Sequence, residues 1–284
     1  MRMLAAVFVV MLALTSGAAA QMTYPVSPNA ILPNPPPTAS LTAWVEAPGR
    51  TMLSIDAEGA TLRGWSYAGS TPAMPTVLYF GGNAARLVDE ESSLRAIAAR
   101  GPSVVAFDYR GYGFSTGQAD VMTMRRDALK LFDATAARAG GSGRVIVFGF
   151  SLGTVMAAYI ASQRKVGGVA LVASIADATE EIPAYAKASG MSFPGVTLVA
   201  TPDATEAFGE AALIAQSNAP LLVVHGELDS TVPVAQGREV YAASKVTAKR
   251  LVVIPGVGHN GTLAAPATLD ALIQLASSVL PAAR

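Results

Sequence analysis

Ser151 stands in Gly149-Phe150-Ser151-Leu152-Gly153, directly after the apolar run Val145-Ile146-Val147-Phe148 and before a segment with helical spacing. A serine in a sharp strand-to-helix turn is pushed out above the sheet edge in a strained backbone conformation, with its hydroxyl presented to an electrophile. Such a turn needs a glycine on each side, because side chains there would collide where strand and helix cross. The pattern alone says little. Its place between a strand and a helix makes Ser151 a candidate nucleophile rather than a serine that merely caps a helix.

A serine hydroxyl at its ordinary pKa needs a base. The chain contains 2 histidines and no cysteine, so the choice is short. His259 lies in Pro255-Gly256-Val257-Gly258-His259-Asn260, just after the last apolar run and free to reach across to Ser151. His225 closes the run Leu221-Leu222-Val223-Val224 and reads as a structural histidine packed at a strand end. A general base also needs a carboxylate on its other ring nitrogen. Asp229 is preferred to its rival Glu227, from its spacing after the strand and from the Val232-Pro233 turn into the next helix. An oxyanion must be stabilised as well. Gly81-Gly82-Asn83 follows another apolar run and opens a helix, so the backbone can approach a substrate closely. The N–H groups of Asn83 and Leu152 would make a two-donor oxyanion hole; the plainer reading is a tight turn.

These residues need a scaffold that brings distant segments together. Strands are expected over 61–67, 76–80, 103–107, 144–148, 169–172, 221–224 and 251–254. Helices are expected over 87–100, 122–138, 152–162 and 266–280, the last accepting Pro266 in its first turn. Short apolar strands alternating with amphipathic helices mean an α/β fold, a mostly parallel sheet covered on both faces. Sites in such sheets lie at the carboxyl ends of the strands, where Asn83, Ser151, Asp229 and His259 all fall. Residues 175–218 exceed an ordinary connection and read as a small lid insertion.

Composition narrows the function. With 284 residues, 51% hydrophobic and 14% charged, the chain can bury a substantial core. Net charge is zero, with 20 basic and 20 acidic residues, and nothing favours nucleic acid. The lack of cysteine excludes disulfides, thiolate metal sites and a cysteine nucleophile, and 2 histidines argue against a multi-histidine zinc site. Residues 1–20 carry Arg2, an apolar stretch from Leu4 to Leu14 and an Ala18-Ala19-Ala20 cleavage pattern. That is the pattern of a secretory signal peptide, so a periplasmic or secreted protein is expected. Membrane attachment would follow only if the segment were retained. Residues 21–40 hold Pro25, Pro28, Pro33, Pro35, Pro36 and Pro37 and read as an extended linker or a strap laid over the domain of 41–284.

Phe80-Gly81-Gly82-Asn83-Ala84, Asp108-Tyr109-Arg110-Gly111-Tyr112-Gly113-Phe114-Ser115, the Ser151 turn, His225-Gly226-Glu227-Leu228-Asp229 and Gly258-His259-Asn260 occur in that order. Together they resemble the α/β-hydrolase superfamily. The likeness is greatest to the serine hydrolases with a D-Y-R-G-Y-G loop, a branch that includes thioesterases and lysophospholipid lipases. The resemblance runs from about Leu41 to the C-terminus. It implies the α/β-hydrolase fold, Ser151 as nucleophile, His259 as base, Asp229 as acid and Asn83 with Leu152 as oxyanion donors. It implies a structural role for the loop from Asp108 to Ser115, and no metal or organic cofactor. Gly81 departs from the pattern, since many relatives carry histidine there.

The expected activity is hydrolysis of a carboxylic ester or thioester of a small-molecule acyl substrate. A serine peptidase of the same fold ranks lower, because no added domain is visible, and a non-catalytic binding module is disfavoured by the complete Ser, Asp, His set. Dehalogenase chemistry is disfavoured because the turn holds serine, not aspartate. The insertion's Ile182, Tyr185, Met191, Phe193, Leu198, Val199 and Phe208 could face an acyl chain, although packing onto the body is the simpler use of apolar residues.

Overall fold

Alternation of apolar strands with helices produces ten strands and nine α-helices among the described residues. The computed structural model describes residues 22–34, 36–190 and 194–280. The segment 1–20 read as a signal peptide lies outside them, as do Met191 and Phe193 of the insertion. The strands are β1 (Met22–Val26), β2 (Arg50–Ala57), β3 (Ala60–Tyr67), β4 (Thr76–Phe80), β5 (Val104–Phe107), β6 (Val145–Phe150), β7 (Gly168–Val172), β8 (Val196–Ala200), β9 (Leu221–Gly226) and β10 (Lys249–Ile254). The helices are α1 (Leu87–Ala99), α2 (Val121–Ala139), α3 (Leu152–Gln163), α4 (Ala178–Ala188), α5 (Pro202–Phe208), α6 (Glu210–Ile214), α7 (Val234–Ala243), α8 (His259–Ala264) and α9 (Pro266–Ser278).

Eight strands form one sheet in the order β10-β9-β7-β6-β4-β5-β3-β2. The strands from β10 to β5 run parallel, while β3 is antiparallel to both β5 and β2. Successive side chains of a strand point to opposite faces. Leu78, Val147, Leu171 and Val223 therefore pack under α2, α3 and α7. Their neighbours Val77, Ile146, Ala170 and Leu222 pack under α1 and α9. Burial on both faces is why these strands are apolar throughout rather than alternating. Edge strand β2 lacks that unbroken run: exposed Ser54 and Asp56 alternate with Leu53, Ile55 and Ala57, which pack against the core, and β2 is not among the expected strands.

Local chemistry sets the helix ends. Asp120 caps α2 by accepting the Thr123 N–H at 2.7 Å, and Gly140 ends it at φ 80°, in the left-handed region that favours glycine. Asp177 caps α4, and Pro266 opens α9, where its missing N–H costs nothing.

Residues 175–218 fold as α4, β8, α5 and α6. Strand β8 pairs in parallel with β1, Met22 opposite Val196, to make a separate two-stranded sheet. The proline-rich N-terminal segment thus lies on the body. Asn29 donates to Asp120 and accepts from the Val121 N–H, and the Pro37 carbonyl accepts from the Gly113 N–H at 2.7 Å. Most apolar residues of the insertion serve its packing: Ile182 and Phe208 are buried in the α2–α3 core and Leu198 packs against it, whereas Val199 is exposed. No helix among the described residues is long and apolar enough to cross a membrane.

Candidate active site

Strand β6 ends in the tight turn that carries Ser151. The Ser151 backbone sits at φ 51° and ψ −119°, a conformation a side chain adopts only under strain. Both flanking glycines are required sterically. A Cβ on Gly149 would lie 2.3 Å from the Gly153 carbonyl oxygen, and one on Gly153 would lie 2.1 Å from the Phe80 carbonyl oxygen. The Ser151 N–H donates to the Val172 carbonyl of β7 at 2.9 Å, which pins the turn to the neighbouring strand.

The carboxyl ends of β9 and β10 supply the partners. Asp229 follows β9, and His259 opens α8 after β10. His259 Nε2 lies 3.1 Å from Ser151 Oγ, and its Nδ1 lies 2.8 Å from Asp229 Oδ2. The other Asp229 oxygen accepts the N–H groups of Thr231 and Val232, at 3.0 and 2.9 Å. Those bonds aim one carboxylate oxygen at the imidazole and fix its Nδ1 as the donor, leaving the Nε2 lone pair for the serine proton. Glu227 faces elsewhere, accepting from the Gly256 N–H.

His225 does not reach Ser151. Its ring is fully buried, with Nε2 2.9 Å from the Val232 carbonyl oxygen and 3.6 Å from Asp229 Oδ2. Burial lowers its pKa, so the ring is held neutral. Gly237 leaves room for it, since a Cβ there would lie 2.3 Å from His225 Nδ1.

The loop after β4 brings Gly82 against the nucleophile: a Cβ on Gly82 would stand 3.7 Å from the Ser151 Cβ. Among the described residues, neither the Asn83 N–H nor the Leu152 N–H makes a hydrogen bond. Leu152 is the first residue of α3, so its N–H also carries the positive end of a helix dipole. A free donor on the residue after the serine, and another on the residue after Gly82, suit a developing oxyanion.

The family described as alpha/beta hydrolase fold matches residues 75–200. A solved structure, alpha/beta hydrolase domain-containing protein 10 from mouse, superposes with a TM-score of 0.58 at 19% identity, covering 81% of this chain and 98% of that one. The chain has the α/β-hydrolase fold. An uncharacterized protein of Mycobacterium tuberculosis is 29% identical over 245 residues, 86% of this chain and 82% of the relative. The lysophosphatidylserine lipase ABHD12 of Xenopus tropicalis is 30% identical over 220 residues, 73% of this chain and 55% of that protein.

The Asp108–Ser115 loop supports the site as the resemblance implies, together with Glu90, which no sequence motif marked. The Tyr109 hydroxyl donates to the Gly81 carbonyl at 2.7 Å, and Asp108 accepts the Leu87 and Phe114 N–H groups, tying the Asp108–Ser115 loop to the oxyanion loop. Burial raises the Asp108 pKa to about 6. Glu90 accepts from the Tyr79 hydroxyl at 2.9 Å, and burial pushes its pKa to about 7. A Cβ on Gly81 would lie 2.7 Å from Glu90 Oε2, so Glu90 fills the space that a side chain at position 81 would need.

The insertion buries two more acids. Glu181 accepts from Gln236 Nε2 at 2.9 Å, and Glu210 accepts the Ile175 N–H at 3.3 Å. Burial raises each pKa from 4.5 to about 8. A carboxyl whose folded pKa is raised holds its proton longer when folded than when unfolded. Its contribution to stability is full below 4.5 and is lost as pH rises towards about 8. Thermal unfolding midpoints should therefore fall between pH 5 and pH 9. In Glu210→Gln, which cannot ionise, the fall should be smaller by several degrees, on the order of 2–4 °C per kcal/mol for a domain this size. Parallel profiles for the variant and the parent would show that folding leaves the Glu210 pKa unshifted.

Proposed function

We propose that this protein is a serine hydrolase of the α/β-hydrolase superfamily that cleaves carboxylic esters or thioesters through an acyl-enzyme. The observation that carries the reading is His259, held between Ser151 Oγ at 3.1 Å and Asp229 Oδ2 at 2.8 Å. Ser151 Oγ attacks the acyl carbonyl carbon while His259 Nε2 takes the hydroxyl proton. The carbonyl oxygen gains the negative charge and faces the N–H groups of Asn83 and Leu152. His259 then protonates the departing alkoxide or thiolate as its bond to carbon breaks. A water, deprotonated by the same imidazole, attacks the acyl-enzyme and releases the acid. Asp229 stays ionised and stabilises the imidazolium in both halves. The 30% identity to a protein named a lysophosphatidylserine lipase supports an acyl ester as substrate. Export to the periplasm or the exterior belongs to this reading and rests on the pattern of residues 1–20.

The test is a fluorophosphonate probe, applied to the purified protein and to Ser151→Ala, with the adduct located by mass spectrometry. Labelling at Ser151 that disappears in the variant is expected, together with ester hydrolysis that the variant lacks. A folded protein that neither labels nor hydrolyses a panel of esters and thioesters would be a binding module instead.

A further inference from the structure

Asn83 has a side chain whose partners come from three remote segments. Its Nδ2 donates to the Ile31 carbonyl at 2.7 Å and lies 3.4 Å from the Tyr185 hydroxyl, and its Oδ1 accepts from the Tyr112 hydroxyl at 3.4 Å. Ile31 belongs to the N-terminal strap, Tyr185 to helix α4 of the insertion, and Tyr112 to the Asp108–Ser115 loop. The Ile31 carbonyl accepts nothing else among the described residues. Ala84, the next residue of the oxyanion loop, sits at φ 62°, a left-handed conformation that favours glycine and strains a residue with a side chain. A loop in that conformation persists only where its surroundings impose it.

The strap is well anchored for this purpose. Its strand β1 pairs with β8, its Val26 carbonyl accepts from both the N–H and the hydroxyl of Thr201, and its Thr38 carbonyl accepts from Arg86 at 2.9 Å. Asn29 within it caps α2. The short Ile31 bond to Asn83 is thus made to a fixed acceptor, while the Tyr185 contact depends on where the insertion lies.

We propose that the Asn83 carboxamide is a positioning group, through which the strap and helix α4 hold the Asn83 N–H in register with Ser151. The inference rests on the acyl-transfer reading of Ser151. The Asn83 side chain does not touch substrate; it orients the backbone donor that does. Only the oxyanion interaction depends on that orientation, so ground-state binding is largely spared.

The full chain is assayed with a short-chain p-nitrophenyl ester, and with an alkyl boronic acid that forms a tetrahedral adduct on the serine. Asn83→Ala should lose about 10- to 100-fold in kcat with KM within about twofold, and boronate affinity should fall by the same factor. Tyr185→Phe, which removes only the long contact, should lose roughly two- to fivefold in kcat and boronate affinity together. A folded Asn83→Ala protein with kcat and boronate affinity within about twofold of the parent would overturn the proposal. An unchanged Tyr185→Phe would overturn the part assigned to α4. Were Asn83→Ala to fail to fold, Tyr185→Phe and Tyr112→Phe decide the matter: joint loss of kcat and boronate affinity supports the positioning role, and no loss in either overturns it. A wild-type protein inert to both ester and fluorophosphonate would overturn the acyl-transfer reading and this inference with it. Activity in the wild type that Asn83→Ala leaves intact overturns this inference alone.

Discussion

Ser151→Ala is expected to abolish ester hydrolysis, with kcat falling roughly a million-fold and KM little changed. In the proposed mechanism the residue supplies the bond-forming oxygen, and among the described residues no other hydroxyl is hydrogen-bonded to His259, whose Nε2 lies 3.1 Å from Ser151 Oγ. What activity is left would come from the two oxyanion donors and substrate binding, which do not need the serine. The same position makes a separate statement about stability. Alanine keeps the Cβ that strains a backbone at φ 51°, whereas glycine does not. Ser151→Gly should therefore unfold at a higher temperature than Ser151→Ala, by about 1 kcal/mol, the reverse of the usual order of these residues. Equal or inverted midpoints would mean that the turn holds no strain. A loss in kcat of less than about a hundredfold in Ser151→Ala would put the nucleophile elsewhere.

Asp229→Asn should be nearly as damaging, a loss of about ten thousand-fold in kcat, and for a different reason. The amide oxygen can still accept the Thr231 and Val232 N–H groups, as Oδ1 does at 3.0 and 2.9 Å, so the loop should keep its shape. That places the amide NH2 against His259 Nδ1. The ring must then accept at Nδ1 and carry its proton on Nε2, facing Ser151, where it cannot act as a base. A thermal midpoint close to that of the parent, beside the loss of kcat, is the expected pair of results. A variant within tenfold of the parent would leave Asp229 without a part in orienting the base.

The sequence made the α/β core and the positions of these groups legible because each rests on a local rule. A serine between strand and helix requires Gly149 and Gly153, because a Cβ at either site would collide with backbone. Strands buried on both faces are apolar at every position, as in Val145–Phe150. What stayed hidden depends on pairs of residues far apart. Nothing local in Met22–Val26 tells a proline-bearing linker from a strand, because the strand exists only by pairing with Val196–Ala200. Edge strand β2 carries the alternation of a half-covered strand, with Leu53, Ile55 and Ala57 against the core and Ser54 and Asp56 exposed, instead of the unbroken apolar run of its neighbours. Glu181 and Glu210 sit on helices where an acid ordinarily meets solvent, and only the assembled insertion buries them. Glu90 beside Gly81 is of the same kind: the glycine was noticed, but the side chain that makes it necessary was not visible from the chain order.

The pairing of β1 with β8 has a kinetic side. Val26 and Thr201, which close that contact, are 175 positions apart. On a chain made from its N-terminus, the strap emerges early, and its partner strand only after most of the parallel sheet has been synthesised. Contacts of such long range form slowly and late, because the loop they close must first be ordered. The strap is thus a natural last step of assembly. A protein that has folded its sheet but not yet seated the strap would hold Ser151, His259 and Asp229 while leaving the Asn83 carboxamide without its Ile31 acceptor. In a refolding time course, recovery of sheet structure would run ahead of recovery of activity.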